Sequence, residues 1–387
     1  MLFKDNNPER KKMKKKLLIF HPALAPYRVD QFNALSQLFE LEVVFIFKNL
    51  WNNNFDQSKL LSLLQFKYSF LMIGPQYHGR VFRFGIFKTI KRFKPDIILG
   101  YEYSFTTQYL ILLKRLGLIH QKIGSTIDDS LEICNQVQSK SRYLARKISV
   151  KSLDYLIVLS SEVSQFYTET FNLQNKKVII SPILQEAERL RKNREELEDI
   201  ANEYSIKYNL KGKKVLLFVG RFIPEKAISE FINTIHSILL EQQNLVLVLV
   251  GEGDERQTIV NIVRDNQLEN RVIIPGRFEG QQLNAWYLCA SGFVLPSTYE
   301  PFGAVVNESL IFGVTVFCSQ YAGSSYLVSE GKGMLFDPLN EKDTTDKIKL
   351  FLNNIDVFEV VNLTKRPSLM SNHQIEFTKE WRKLMYE

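Results

Sequence analysis

Apolar residues fall along this chain in short runs separated by longer stretches of mixed character. In the first half the runs occupy 16–21, 41–47, 70–73, 96–100, 122–127, 155–160 and 177–181. In the second half they occupy 214–220, 245–251, 271–275, 292–297, 314–319 and 333–336. Several are apolar at consecutive rather than alternate positions, as in Leu17-Leu18-Ile19-Phe20 and Leu245-Val246-Leu247-Val248-Leu249-Val250. A strand buried on both faces needs that pattern, and such strands belong to parallel sheets covered by helices on each side. The stretches between the runs are long enough for helices, which predicts βαβ units, and two such series predict an α/β protein with two doubly wound domains. Residues 185–211 lack such a run and are strongly charged and helix-favouring, as in Glu195-Glu196-Leu197-Glu198-Asp199. They read as a helical linker. Residues 371–387 carry Phe377, Trp381 and Leu384 at helical spacing, predicting a terminal helix. The expected division is a basic tail at 1–15, a first domain at 16–184, the linker at 185–211, a second domain at 212–370 and the last helix at 371–387.

Length and composition agree with this. A chain of 387 residues exceeds one ordinary core, and 45% hydrophobic with 24% charged residues is a soluble globular balance. The three cysteines, Cys134, Cys289 and Cys318, are far apart; they exclude a disulfide scaffold and a Cys-based zinc site and fit a reducing compartment. No apolar run approaches the roughly 18–20 residues of a membrane span. The lysine-rich stretch before Leu17 reads as a tail leading into a strand rather than a signal peptide, because His21-Pro22 ends the apolar part early. Charge is uneven: residues 1–184 carry a net +13 and the remainder −5. The first half is therefore expected to meet something anionic: nucleic acid, an acidic membrane surface or a phosphate-bearing substrate. Nothing resembles a nucleic-acid reader, so no nucleic acid partner is expected. The segment with Lys88, Lys91, Arg92 and Lys94 among Ile86, Phe87, Ile90 and Phe93 fits either an amphipathic helix facing the core or a helix lying on anionic lipid.

Candidate chemistry concentrates at the ends of strands in the second half, where open α/β sheets bind ligands. Gly220 ends a run and permits a sharp turn, after which Arg221 and Lys226 offer two cations suited to a diphosphate. Gly251-Glu252-Gly253-Asp254 follows the next run, with glycines that admit close backbone approach but without a dinucleotide fingerprint. The most informative stretch is Ser297-Thr298-Tyr299-Glu300-Pro301-Phe302-Gly303-Ala304-Val305-Val306-Asn307-Glu308. A helix starting near Phe302 or Gly303 presents its first N–H groups and the positive end of its dipole as an anion site. Glu300 before it and Glu308 one turn into it are placed to accept hydrogen bonds from hydroxyl groups. A diphosphate flanked by two hydroxyl-rich groups is a nucleotide sugar. The competing reading makes both glutamates solvent-facing helix residues, and Pro301 and Gly303 weaken it.

These residues resemble the donor site of the family 4 retaining glycosyltransferases, which have the GT-B fold. The match runs over about 214–338. It includes the seven-residue gap between Glu300 and Glu308, Gly220-Arg221 with Lys226, Gly251-Glu252-Gly253, Arg271-Val272-Ile273-Ile274-Pro275-Gly276, Val294-Leu295-Pro296-Ser297, and Val314-Thr315-Val316 with Ala322-Gly323. The resemblance implies two Rossmann-like domains facing a cleft and a last helix that crosses back to the first domain. It implies that Arg221 and Lys226 hold the donor diphosphate and stabilise the leaving group, that Glu300 binds the sugar and Glu308 the ribose, and that Phe302 and Gly303 offer backbone N–H groups. Gly276, Arg277 and Phe278 would line the base. No Asp-x-Asp motif occurs, so neither metal nor cofactor is expected beyond the nucleotide-diphosphate sugar as co-substrate.

The first half matches less well. In place of a Gly-Gly loop after the first run stands His21-Pro22-Ala23-Leu24-Ala25-Pro26-Tyr27-Arg28-Val29, which resembles a branch acting in bacterial surface-polysaccharide assembly. Arg28 could meet a donor or acceptor phosphate or make a salt bridge within its own domain. Glu102 and Asp128 are the acceptor-side carboxylates, as acid, base or sugar-hydroxyl ligands, or else helix caps. His78 and His120 have no assigned role. The leading expectation is a retaining, metal-independent glycosyltransferase. It would pass a sugar to a glycan or lipid-linked acceptor held by the first domain, in the cytoplasm or peripherally at the inner face of the cytoplasmic membrane. A GT-B epimerase or disaccharide synthase, and a non-catalytic nucleotide-sugar-binding protein, are the alternatives.

Overall fold

The computed structural model describes residues 14–49, 55–77, 80–135, 140–173, 177–329, 331–359 and 362–385. Strands of the first lobe are β1 (Lys16–His21), β2 (Glu40–Phe45), β3 (Lys67–Phe70), β6 (Ile97–Tyr101), β7 (Lys122–Ile127), β8 (Tyr155–Val158) and β9 (Lys177–Ile180), with a small separate hairpin of β4 (Gln76–Tyr77) and β5 (Arg80–Val81). They form one parallel sheet in the order β3-β2-β1-β6-β7-β8-β9. In the second lobe β10 (Lys214–Val219), β11 (Leu245–Val250), β12 (Val272–Gly276), β13 (Gly292–Leu295), β14 (Val316–Ser319) and β15 (Gly333–Phe336) form a parallel sheet in the order β12-β11-β10-β13-β14-β15. Every expected strand is present, with ends shifted by up to three residues. Pro275 is tolerated in β12 because that strand lies at the sheet edge, where a missing N–H leaves no ladder bond unmade.

Consecutive apolar residues in β1 serve two cores. Leu18 and Phe20 face a layer that includes α2 (Ile86–Phe93), α3 (Phe105–Arg115), α4 (Lys140–Ser152) and α5 (Ser161–Phe171). Leu17 and Ile19 face α1 (Val29–Leu38) and the C-terminal helix. The apolar stripe of α2 is used in the first of these cores: Ile86, Ile90 and Phe93 are buried, and Arg92 pairs with the fully buried Glu42. This helix is the core-facing alternative, not a free lipid-binding face. Most of the basic tail, residues 1–13, lies outside the described residues, as does His78.

The charged stretch 185–211 is helical as expected, but α6 (Arg194–Lys207) is not a free-standing linker. Leu197, Ala201 and Leu210 are buried in the second core, and Tyr204 stacks on Trp286 of α9 (Gly280–Cys289) with centroids 4.5 Å apart. The second lobe is completed by α7 (Ile228–Glu241), α8 (Arg256–Asp265), α10 (Ala304–Ile311) and α11 (Glu341–Asn353). Helix α12 (His373–Arg382) returns to the first lobe, as the resemblance implies. There Trp381 is 1% exposed, packs on Phe39 at 6.3 Å between ring centroids, and donates from Nε1 to Ser181 Oγ at 2.9 Å.

That anchor predicts a measurable dependence. Trp381→Ala removes a fully buried ring and should cost the first lobe about 3–5 kcal/mol. Thermal unfolding followed by tryptophan-independent far-UV signal should show an earlier first transition; an unchanged melting curve would mean that α12 adds nothing to the lobe it covers.

Candidate active site between the lobes

The donor-side wall is built by backbones pressed together. After β10 the chain turns at Gly220, whose carbonyl oxygen lies so near Gly251 that a Cβ there would stand 1.8 Å from it. Gly253 has the same relation to the Phe222 carbonyl, at 2.3 Å. Hydrogen bonds fix the approach, from Phe222 N to Glu252 O at 2.9 Å and from Gly251 N to Gly276 O at 3.0 Å. The single turn Pro224–Lys226 then folds Lys226 back over Gly220, and its ammonium pairs with the Glu300 carboxylate. These side chains are only 15% and 11% exposed, so both charges are largely withdrawn from water. Arg221, on the same loop, is exposed.

Glu300 is held by a second close approach. Its carbonyl accepts from Gly323 N at 2.9 Å, it bridges Ala322, and a Cβ on Gly323 would fall 2.0 Å from the Pro301 carbonyl. Gly303 caps α10 with φ +91°, a left-handed backbone that glycine adopts without strain, and Phe302 is buried beneath it. The helix starts at Ala304 and its first turn opens beside Glu300, with Val306 N bonded to Gly303 O at 2.9 Å. Glu308 is not a solvent-facing residue: its carboxylate accepts from Gln185 Nε2 and from Tyr287 Oη, each at 2.8 Å. Burial raises its pKa, opposed by those two donors. Each oxygen keeps acceptor capacity for a hydroxyl pair.

Two expected base-lining residues are partly engaged elsewhere. Arg277 is exposed and pairs with Glu279, while the Phe278 ring packs on Tyr204 and Trp286 at 5.6 and 5.8 Å. Gly276 has φ +100° and borders the Glu252 carboxylate.

The opposite wall comes from the ends of β1, β6 and β7. Arg28 is buried and donates to Gln31 Oε1 and Asp128 Oδ2, both at 2.5 Å. The structure thus joins two of the acceptor-side candidates to each other: Arg28 takes the internal salt bridge rather than an open phosphate-facing position. Burial raises the Asp128 pKa, but Arg28 outweighs it and the net shift is downward, so this carboxylate stays charged. Asp129 pairs with Arg146 at 2.7 Å and accepts from Tyr167 Oη at 2.9 Å. Glu102 stands in a left-handed backbone, φ +41°, and its carboxyl is pushed up to about 7 by desolvation first and then by Asp128 and Asp129. His21 ends β1 but lies buried against Phe32 and Phe45, and desolvation with the Arg28 charge lowers its pKa to about 4. It is held neutral. His120 is exposed at a loop.

Sequence reasoning missed the contact that spans the walls. Tyr27 packs against the core of the second lobe, and its raised pKa, due mainly to burial, also registers Arg28, Asp128 and Glu300. Tyr287 and Gln185, the partners of Glu308, were missed too; their only sequence signals are a Tyr on a helix and a Gln at the lobe crossover. Beside Glu300 a cavity of about 230 Å³ opens between the lobes, lined by Ser130, Glu132, Ser160 and Glu162 on one side and by Tyr321 and Tyr326 on the other. Among the described residues no cluster of His, Cys, Asp or Glu is arranged to hold a metal ion.

Residues 201–361 match the family model of the glycosyl transferases group 1. An uncharacterized glycosyltransferase of Bacillus subtilis, YqgM, is 25% identical over 266 residues, covering 68% of this chain and 69% of its own. The whole two-lobed architecture aligns with HepE from Anabaena, solved in complex with UDP, at a TM-score of 0.68 and 14% identity over 95% of each chain. The fold is GT-B, and the second lobe resembles the group 1 glycosyl transferases. A lipopolysaccharide core biosynthesis glycosyltransferase from Rhizobium meliloti, LpsD, is 30% identical over 126 residues, about a third of each protein (32% and 34%). The family match falls on the lobe that carries Lys226, Glu300 and Glu308, and stops short of the wall bearing Glu102 and Asp128.

The first lobe should show a pH signature from Glu102. Its folded pKa is about 7, above the 4.5 of an unperturbed glutamate. As pH rises from about 4.5 through about 7, the unfolded chain loses this proton before the folded one, so the residue's contribution to stability falls. Glu102→Gln should therefore melt like the parent below about pH 4.5 and gain on it above about pH 7; a constant difference across that window would remove the assigned shift.

Proposed function

We propose that this enzyme transfers a glycosyl group from a nucleoside diphosphate sugar to a hydroxyl of a glycan or lipid-linked acceptor. Transfer would proceed with retention of configuration, without a metal ion, and in the cytoplasm during assembly of a cell-surface polysaccharide. The observation that carries the reading is the Lys226–Glu300 pair at the mouth of α10, beside Arg221. A cation, a hydroxyl acceptor and a helix N-terminus meet at one point, with the buried Glu308 carboxylate one turn further on. A diphosphate satisfies the cations and the helix end, the sugar hydroxyls satisfy Glu300, and the ribose diol satisfies Glu308. The similarity to a lipopolysaccharide core enzyme and to a UDP-bound structure supports the donor class and the biosynthetic setting.

In the reaction the bond from the anomeric carbon to the β-phosphate oxygen breaks, and its electron pair stays with the phosphate. Arg221, Lys226 and the first N–H groups of α10 take up the charge that develops there. The acceptor oxygen bonds to the anomeric carbon on the face the phosphate leaves, and its proton passes to the departing phosphate oxygen. The products are the glycosylated acceptor and a nucleoside diphosphate. The carboxylates of the first lobe order the acceptor hydroxyl, and Tyr27, packed on the second lobe, feels the charges of both Asp128 and Glu300.

Nucleoside diphosphate release with a panel of donors and a surface-glycan extract tests the reading. Lys226→Ala should lower kcat/KM by about 2–4 kcal/mol of transition-state stabilisation, and Glu300→Gln should abolish transfer in a protein that still folds but melts earlier, because the nearly buried Lys226 loses its ion-pair partner. Parent-like turnover in either variant would remove the diphosphate or sugar assignment. Activity should persist in excess chelator, and the product anomer, read by NMR, should match that of the donor.

A further inference from the structure

The cavity beside Glu300 has a lining of its own character. Its first-lobe side comes from residues that follow β7 and β8, among them Glu132 and Glu162. Its second-lobe side comes from the chain that follows β14, including Tyr321 and Tyr326 of the single turn Ser325–Leu327. No Lys, Arg or His lines it among the described residues. Ser160 already caps α5 by accepting from Val163 N at 3.4 Å, so Glu162 in the first turn is not needed as the cap, and it is exposed. On the opposite side Tyr326 Oη is shut away from water and has no hydrogen-bond partner among the described residues. A buried hydroxyl left without a partner is costly. Burial raises the pKa of this phenol, and the charges of Glu162 and of Glu376 on α12 add to the rise, so the oxygen remains a neutral donor. At about 230 Å³ the cavity is smaller than the roughly 300–1,000 Å³ pockets that enclose drug-sized ligands. Its size suits one sugar ring rather than a nucleotide.

We propose that this cavity holds the terminal ring of the acceptor, and that the ring is an amino sugar bearing a free ammonium group. The inference rests on the glycosyl-transfer reading above and narrows it to one class of acceptor. Position agrees with that role. Ala322 and Gly323 border the cavity; the first bridges Glu300 and the second donates to its carbonyl at 2.9 Å. A ring in this space therefore lies beside the carboxylate assigned to the donor sugar. Charge selects the class. An ammonium carries three donors and no acceptor, and in a space lined by Glu132 and Glu162 it gains charge-assisted hydrogen bonds. A ring hydroxyl accepts from Tyr326 Oη and supplies the partner that the folded chain does not. A uronate or a phosphorylated ring would set its own negative charge against the two carboxylates with no lining cation to meet it. The same lining turns away the donor diphosphate, which is left to Arg221 and Lys226.

Calorimetric titration of the full chain tests it, using the methyl glycosides of glucosamine, glucose and glucuronic acid and their galacto counterparts, at a pH where the amine is protonated. An amino sugar should bind, its neutral counterpart about tenfold more weakly, and neither uronate measurably. Glu162→Gln should remove most of the preference for the amine. Tyr326→Phe should weaken amino and neutral sugars alike, by about fivefold. Its melting temperature should stay level or rise, because the hydroxyl it removes has no partner in the folded chain. An earlier melt in that variant would reveal an internal partner and overturn the assignment. Binding of no amino sugar, binding of a uronate as tightly as the amine, or an undiminished preference in Glu162→Gln would overturn it too. Nucleoside diphosphate release, measured with a donor panel and a surface-glycan extract, separates this inference from the reading beneath it. Release by a chain that binds no amino sugar overturns the cavity assignment and leaves transfer standing, whereas amino-sugar binding without release supports the cavity and counts against transfer.

Discussion

Two opposite charges shut away from water at the mouth of α10 set the terms for the rest of this molecule. Lys226 and Glu300 are each nearly buried, and a buried charge without a partner is costly, so they satisfy one another. Under the function proposed above, each would meet its counterpart in a donor sugar: the ammonium an anion, the carboxylate a set of hydroxyl protons. Binding would then exchange one satisfied arrangement for another rather than desolvate exposed groups. The pair can meet only because the loops bearing them lie backbone against backbone. Gly220 abuts Gly251 and Pro301 abuts Gly323, and a Cβ at either Gly251 or Gly323 would fall within 2.0 Å of a carbonyl oxygen. The glycines therefore serve the charges, and the sheet serves the glycines by bringing the strand ends to one edge.

A single turn in the first lobe couples that pair to everything else. Tyr27 reaches the second lobe, Arg28 holds Asp128, and Asp30 takes Arg189 through two hydrogen bonds at 2.5 and 2.8 Å and caps the Glu186 N–H at 2.8 Å. Gln31 and Trp381 share Ser181 as acceptor. Four residues, Tyr27, Arg28, Asp30 and Gln31, thus reach the second lobe, the first-lobe wall, the crossover between lobes and the serine that holds the returning helix. A Gly-Gly loop would supply bare backbone in this place; Pro26-Tyr27-Arg28 supplies side chains, which makes the relative position of the lobes part of the site.

The strands were legible because a parallel sheet covered on both sides demands unbroken apolar runs, and every run expected became a strand. The short hairpin Gln76–Tyr77 with Arg80–Val81 was not, since two-residue strands leave no hydrophobic pattern. The charged segment 185–211 was read correctly as helical but not as core, because one buried face, Leu197 and Ala201, is hidden in composition dominated by glutamates. On the donor side the residues stood in recognisable order, and the Glu300–Lys226 contact follows from strand order once β10 and β13 are neighbours. The Tyr27 contact and the Arg28–Asp128 bridge depend on how two lobes and three loops face each other, which no local pattern encodes.

Net charge misled for a related reason. A lobe at +13 suggests a cleft that welcomes anions, yet the ends of β6 and β7 present Glu102, Asp128 and Asp129, and the adjoining cavity adds Glu132 and Glu162. Of the facing cations, Arg28 and Arg146 are already committed to aspartates. Part of the surplus positive charge sits on the outer surface instead, as exposed Lys88 and Lys91 on α2 and Lys147 on α4. Counting charges over a domain averages two surfaces with different tasks. In the function proposed above, the inner one would leave acceptor hydroxyls room to be oriented by carboxylates, while the outer one carries lysines that take no part in holding the donor phosphates.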